Sequence, residues 1–179
     1  LAHASYYLLG GYLSIMIIRL TGNFYLGILC GTIIVILLAI VMERFFIRAL
    51  GGKLLAQVLM TAGFMFFFED FCLAVWGGDP QWVKAPDYLT QCLLCGKLTF
   101  PVFRILLIAV ALAVALGLWL LQEKTKFGAK LRASVDDREM AQGVGIKLST
   151  IYASAFALGG GLAAISGVLG SAYLSVYPG

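Results

Sequence analysis

Long apolar runs separated by polar breaks dominate this chain. Five runs match the ~20 mostly apolar residues that a helix needs to cross a bilayer, at 1–20, 24–47, 54–76, 101–121 and 148–172. Strands of a membrane β-barrel would alternate polar and apolar positions, and the sequence shows no such alternation. We therefore expect an all-α integral membrane protein, with one domain over residues 1–179 built as a polytopic transmembrane helix bundle.

Composition agrees with a membrane location. The chain is 61% hydrophobic and 12% charged, whereas a soluble domain has about 45–50% apolar and about 25% charged residues. A soluble globular protein and a disordered chain are therefore excluded. The net charge of +4 does not indicate nucleic-acid binding, because the basic residues are spread along a membrane surface instead of forming one patch.

The distribution of Lys and Arg predicts the orientation. Of the 13 basic residues, nine lie around the second and fourth breaks and four around the opposite side, and the richer side is cytoplasmic. Leu1 is then inside and Gly179 outside. Glu43 and Arg44, at the inner end of the second run, are expected to anchor it at the lipid headgroups. Since the chain begins within apolar sequence and ends where a loop should lead onward, we expect an internal fragment of a longer protein.

The cytoplasmic connection, residues 122–147, carries ten of the 22 charged residues. Phe127, Leu131 and Val135 recur every four positions between cations, which suits a segment lying on the inner leaflet with its apolar side chains down. The connection is either a solvated connector or a docking element for a soluble partner. Composition alone leaves both interpretations open.

A short helix is expected within this connection. Ser134 and Asp137 have nearly the form of a capping box, and Asp136 would lie in the first turn, where the helix dipole favours acids. Gly143 is able to take the left-handed conformation that ends a helix. The spacing therefore predicts a helix over Val135–Gln142, too short and too charged to span a membrane.

Two acids interrupt the third apolar run. Glu69 and Asp70 lie about 10 Å from its outer end by the helical rise, and intramembrane charge is costly and usually functional. They either line the outer half of a translocation path, where a substrate ammonium would be a natural partner, or pair with Arg19 or Arg104.

Small residues recur every four positions along the fifth run. Such residues let helix backbones approach each other in lipid, so this face either packs within the bundle or lies at an interface that slides between transport states. It comprises Ala155, Gly159, Ala163, Gly167 and Ser171.

The cysteines permit one enzyme hypothesis. Cys92 and Cys95 have the C-x-x-C spacing of redox dithiols and lie in an outward connection, where a disulfide can persist. They are either a thiol-disulfide oxidoreductase pair passing electrons to a quinone or two incidental cysteines. Cys30 and Cys72, inside apolar runs, are expected to be packing residues.

Several stretches resemble the permeases of ABC importers for branched-chain amino acids, a family that also contains urea and short-amide permeases. Glu139-Met140-Ala141-x-x-x-Gly145 resembles the Glu-Ala-Ala-x-x-x-Gly loop by which importer permeases engage their ATPase. Residues 128–141, followed by Gly145 and Ile146, are similar to the corresponding loop of this family. The other matching stretches are Leu1-Ala2-His3 with Tyr7-x-Leu9-Gly10-x-Tyr12, Glu43-Arg44 with Arg48, and Ala155-Phe156-Ala157-Leu158-Gly159.

The resemblance implies a transporter subunit and not an enzyme. Its activity would be to form part of a pathway for branched-chain amino acids, with urea or short amides as the alternative substrates and a passive helical channel as a further alternative. Residues of the cytoplasmic connection would couple it to an ATPase, namely Ser134, Asp136, Asp137, Arg138, Glu139, Ala141 and Gly145.

The resemblance also implies the partners. The sequence has no G-x-x-x-x-G-K-[ST] phosphate loop, so we expect this chain to bind no cofactor or metal, and ATP with Mg²⁺ to be held by a partner. The implied partners are two cytoplasmic ATP-binding subunits, a second homologous permease subunit, an extracytoplasmic solute-binding protein and membrane lipid. The implied location is the bacterial or archaeal cell membrane, as a multi-pass protein.

Overall fold

The chain is almost entirely helical. A computed structural model describes residues 2–51, 53–81, 92–95 and 98–175. Within these ranges the elements are α1 (Ala2–Thr21), α2 (Phe24–Met42), α3 (Leu54–Trp76), β1 (Cys92–Cys95), β2 (Leu98–Pro101), α4 (Val102–Lys124), α5 (Lys126–Asp136), α6 (Arg138–Gly143) and α7 (Leu148–Tyr173). The expectation of a polytopic helix bundle is confirmed. The antiparallel hairpin of β1 and β2 was not expected from the sequence.

The helical backbone of α2 continues beyond Met42. Glu43–Ile47 forms a π-helical turn and Arg48–Leu50 a 3₁₀ turn. Gly51 then ends the helix in the left-handed conformation, with φ 58°, and its N–H donates to the Arg48 carbonyl oxygen at 3.2 Å. A residue without Cβ takes this conformation at little cost, so the Gly51-Gly52 break acts as the sequence indicated.

Four helices are long and apolar enough to cross a membrane, at Phe24–Leu50, Leu55–Trp76, Val102–Lys124 and Leu148–Ala172. Among the described residues, α1, the counterpart of the first predicted run, is not one of these four, although its 20 residues would extend about 30 Å. Ser5, Tyr6, Tyr12 and Ser14 of α1 are all buried.

The contacts divide the chain into two compact units, Leu1–Lys84 with Ala153–Gly179, and Ala85–Tyr152. In the first unit, α1 contacts α2 and α3 along much of its length. The core of that unit draws on four helices and consists of Tyr6, Leu9, Tyr12, Val35, Ala39, Met42, Phe68, Cys72 and Ala164. In the second unit, α4 buries only Phe103 among its residues.

Glycines bring α1 and α7 into backbone contact. A Cβ added to Gly10 would lie 2.6 Å from the Ala164 Cα, and one added to Gly167 would overlap the Tyr7 carbonyl oxygen. Gly31 of α2 is similarly covered by the Ser14 side chain. Helices in lipid gain no hydrophobic driving force from packing on each other, so close backbone approach through small residues is their main source of attraction.

Gly167→Leu should destabilise the first unit, because the new side chain has no space against the Tyr7 carbonyl. We expect the free energy of unfolding to fall by about 1–3 kcal/mol or more, as for overpacked cores. The measurements are the midpoint of thermal unfolding in detergent and the yield of inserted protein, and both should be lower. Gly117→Leu on α4 is the matched control, since a Cβ there has nothing within 4 Å. Equal stability of the two variants would contradict the α1–α7 contact.

Candidate functional site

The connection formed by residues 122–147 turns a corner between α4 and α5. The Thr125 hydroxyl oxygen accepts from the Gly128 N–H at 3.3 Å and caps α5, while its O–H donates to the Leu121 carbonyl oxygen. Gly128 is buried against the end of α4, and a Cβ added to it would lie 2.5 Å from the Gln122 Cα. The corner therefore requires glycine at this position.

Arg132 holds the same corner from α5. Its guanidinium donates to the Gln122 carbonyl oxygen at 2.6 Å and lies 3.3 Å from the Glu123 carboxylate. Carbonyls in the last turn of a helix lack intrahelical donors, so the Arg132 side chain satisfies one of them. The ion pair itself is exposed and adds little stability.

The connection contains two short helices, so the expectation of one helix over Val135–Gln142 is wrong. Ser134 is not a cap: it is buried inside α5, and its hydroxyl donates to the Leu131 carbonyl oxygen at 2.7 Å. Asp136 is the last residue of α5 instead of lying in a first turn. The sequence argument failed because the repeat Phe127, Leu131, Val135, read as a surface segment, is the apolar side of α5 itself.

Asp137 is the residue that separates the two helices. Its backbone is extended, with φ −143° and ψ 103°, so it ends α5, and its carboxylate accepts from the Met140 N–H at 2.9 Å. Acidic N-caps satisfy an amide that has no intrahelical partner and are favoured by the helix dipole. Asp137 thus sets both the break and the direction of α6.

Gly145, not Gly143, terminates α6. Gly145 has φ +85°, and its N–H donates to the Gln142 carbonyl oxygen at 2.9 Å, while the Ile146 N–H donates to the Ala141 carbonyl oxygen at 3.0 Å. These two bonds form a Schellman motif, in which the left-handed position is usually glycine. The spacing of Ala141 and Gly145 in the Glu-Met-Ala-x-x-x-Gly sequence is therefore that of a helix end and its cap.

A tyrosine of α7 contacts both sides of the break. The Tyr152 hydroxyl donates to the Ser134 carbonyl oxygen at 3.0 Å, and the Arg138 guanidinium carbon lies 6.0 Å from the centroid of the Tyr152 ring. Sequence reasoning did not identify Tyr152. It lies 18 residues from Ser134, and no local spacing connects the two.

The joint between α5 and α6 exposes apolar side chains. Val135 is 72% exposed, Met140 68% and Val144 81%. The charged residues between them, Asp136, Asp137, Arg138 and Glu139, are exposed as well, whereas Ala141 is buried. We call Val135, Met140 and Val144 the apolar triad. Exposed apolar side chains on a charged segment are what a protein-binding surface uses when they form one patch.

Glu69 and Asp70 are adjacent on α3 but differ in exposure. Glu69 is half-buried and Asp70 is exposed. Neither forms an ion pair with Arg19, whose guanidinium donates to the Gln81 side-chain oxygen at 2.5 Å. Of the two partners considered for these acids, Arg19 is therefore not an ion-pair partner in this structure.

Glu43 does not face the headgroups, so its expected role as an anchor is also wrong. It is only 5% exposed, and its Oε2 has no hydrogen-bond partner among the described residues. The reason is helical spacing: Val35 and Ala39 are fully buried, and Glu43 follows them at the same four-residue interval on one face of α2. Arg44 is exposed.

The small residues of α7 fall into two groups that differ in solvent exposure. Gly167 and Ser171 are buried, and Ala155, Gly159 and Ala163 are half-buried. A Cβ added to Gly159 would lie 2.5 Å from His3 Nε2. This part of the face contacts α1 within the first unit.

Cys92 and Cys95 are the first and last residues of β1, paired in register with Pro101 and Leu98. Residues three apart in a strand have Cα atoms about 10 Å apart, whereas a disulfide requires about 4.4–6.8 Å. The strand backbone therefore does not permit a disulfide between them. No cluster of three or more metal-ligating side chains occurs within the described ranges.

Comparison with known proteins gives one consistent result. The family model described as the permease component of branched-chain amino acid transport systems matches residues 1–179. Over 194 aligned positions the chain is 25% identical to the high-affinity branched-chain amino acid transport system permease protein BraD of Pseudomonas aeruginosa. That match covers 99% of this chain but 62% of BraD, so the chain spans less than two thirds of this relative. No solved structure matches the chain.

Exchanging glycines in α6 tests where this helix ends. Gly145→Ala should lower the free energy of unfolding by about 1–2 kcal/mol, since alanine is strained in the left-handed conformation. Gly143→Ala should raise the free energy of unfolding by about 0.5–1 kcal/mol, since Gly143 is helical and an added Cβ would have nothing within 4 Å. Hydrogen–deuterium exchange over residues 138–148 should be faster in the first variant and unchanged or slower in the second. The reverse order would show that α6 ends at Gly143.

Proposed function

The chain belongs to the family of permease components of branched-chain amino acid transport systems, and from that premise we propose that it forms part of the translocation pathway of an ATP-driven importer. The observation that carries the proposal is the family match over all 179 residues, joined by four helices apolar and long enough to span a membrane. The chain is a multi-pass membrane protein of the transporter class. Its substrate in this proposal is a branched-chain amino acid.

The proposal includes partners outside this chain. They are two cytoplasmic ATP-binding subunits that hold ATP and Mg²⁺, a second homologous permease subunit and an extracytoplasmic solute-binding protein, in a bacterial or archaeal cell membrane. What supports the ATP-binding partners is the match to the permease component of a transport system. In this proposal they supply the energy of ATP hydrolysis, since this sequence contains no phosphate loop.

We assign docking of the ATPase to the α5–α6 joint. Its apolar triad is exposed on a segment where every flanking charge is also exposed, and burial of such apolar side chains is what gives an interface its affinity. Asp137, Arg138 and Glu139 are exposed charges of the same segment and would supply the polar rim of such an interface. The Asp137 cap and the Gly145 terminator fix the length of α6, so they present the patch in one conformation.

Asp70 is our candidate for the pathway. A charged side chain facing lipid is costly, up to about 2.5–3.5 kcal/mol at the centre of the bilayer, so an exposed acid within α3 is favoured where water, substrate or another protein surface covers it. An ammonium group of an amino acid has the matching charge. Glu69, half-buried, is the weaker candidate of the two.

Two alternatives are less well supported. A urea or short-amide permease would share the same fold and family, and it differs in having a neutral substrate. A thiol-disulfide oxidoreductase would require Cys92 and Cys95 to approach each other, which the extended backbone of β1 opposes.

Met140→Glu should weaken binding of the ATPase subunit about tenfold or more, equivalent to about 1.4 kcal/mol, because it places a charge in the centre of the apolar triad. The measurement is the amount of ATPase subunit that co-purifies with the full permease. Ala129→Glu adds the same charge at an exposed position of α5 outside the triad, and it should co-purify as the unaltered protein does. If the two variants and the unaltered protein bind the ATPase subunit equally, the docking surface is contradicted.

Asp70→Asn should reduce uptake of labelled leucine about tenfold or more, as expected for loss of a charge-assisted contact, while Glu69→Gln has a smaller effect. Uptake is measured in vesicles containing the complete transporter, with labelled urea as the comparison. An importer that carries urea and not leucine would identify the alternative substrate class. Unchanged leucine uptake by Asp70→Asn would remove Asp70 from the pathway.

A further inference from the structure

Tyr152 occupies a position that the proposed function does not use. It lies near the start of α7, where Leu148 and Ile151 are buried and the Ile151 N–H donates to the Lys147 carbonyl oxygen at 3.3 Å. These two side chains fix the first turns of α7. The Tyr152 ring therefore projects from a well-anchored base.

The hydrogen bond of Tyr152 depends on the break in the chain. In an uninterrupted helix the Ser134 carbonyl oxygen would accept from the N–H of Arg138, four residues on. The extended conformation of Asp137 ends the helix before that bond, and the Tyr152 hydroxyl donates to the Ser134 carbonyl oxygen instead, at 3.0 Å. Ser134 is buried, so this oxygen depends on a protein donor more than an exposed carbonyl would.

The ring of Tyr152 makes a second contact on the other side of the break. The Arg138 guanidinium carbon lies 6.0 Å from the ring centroid, within the range of a cation–π interaction. Ser134 belongs to α5 and Arg138 is the first residue of α6. One side chain of α7 thus holds both helices at their joint.

From these contacts we propose that Tyr152 is a positioning residue that transmits movement of α6 to α7. The inference rests on the proposed docking of an ATPase at the α5–α6 joint. A displacement of α6 is passed through the Arg138 contact and the Ser134 hydrogen bond to the first turns of α7. Tyr152 lies in the first turns of α7, which is one uninterrupted helix of 26 residues, about 39 Å long.

The test separates transmission from docking and from stability. The complete transporter is reconstituted in vesicles, and the amount of leucine imported per ATP hydrolysed is measured together with ATPase co-purification and thermal unfolding. Tyr152→Phe removes the hydroxyl and keeps the ring. Its leucine imported per ATP should fall about threefold to tenfold, the range for loss of one hydrogen bond, with the ATPase still bound. Tyr25→Phe makes the same change on the exposed Tyr25 of α2 and should leave the ratio unchanged.

Arg138 provides the second variant, since it is exposed and its replacement does not disturb a core. Arg138→Gln should lower the ratio, and Arg138→Lys, which keeps a cation over the ring, should restore part of it. A Tyr152→Phe protein that unfolds at a lower temperature but imports as much leucine per ATP as the unaltered protein would overturn the proposal and leave Tyr152 a structural role. Failure of the unaltered permease to bind any ATPase would instead refute the proposed function.

Discussion

Backbone contact between α1 and α7 is the constraint on which the first unit depends. A helix surrounded by lipid gains nothing from exchanging lipid tails for leucine side chains, so association must come from dispersion contacts at short range. Gly10 and Gly167 permit such short distances, because each lies against main-chain atoms of the other helix. α1 is enclosed in this way, with Ser5 and Ser14 buried in the first unit.

In the second unit, helix caps determine the structure instead of helix–helix contact. Thr125 starts α5, Asp137 ends it and starts α6, and Gly145 ends α6. These residues fix the bounds of two short helices, which leave Val135, Met140 and Val144 exposed. In the proposed importer the ATPase covers these side chains, and Tyr152 links the two short helices to a long helix.

The sequence predicts the apolar helices well because lipid imposes a length and a composition that single segments must satisfy alone. The sequence predicts burial less well where the packing of neighbouring helices determines which side chains are enclosed. The burial of Glu43 depends on the face of α2 that carries Val35 and Ala39 into the core of the first unit, and the burial of Ser5 and Ser14 in α1 depends on the helices packed around it. The break at Asp137 was missed because Ser134 and Asp137 are both good caps, and only the apolar repeat within α5 decides between them. Tyr152 is a contact between distant positions, which no spacing reveals.

The burial of α1 has a consequence for biogenesis. Cellular insertion machinery selects segments largely by how well they partition into lipid, and by that measure α1 is weaker than the four other long helices. Only Gly22 and Asn23 separate α1 from the strongly apolar α2, and Gly22 turns the chain with φ 69°. The two helices are thus placed to enter the bilayer as a pair, with α2 retaining α1 until α3 and α7, made later, enclose it.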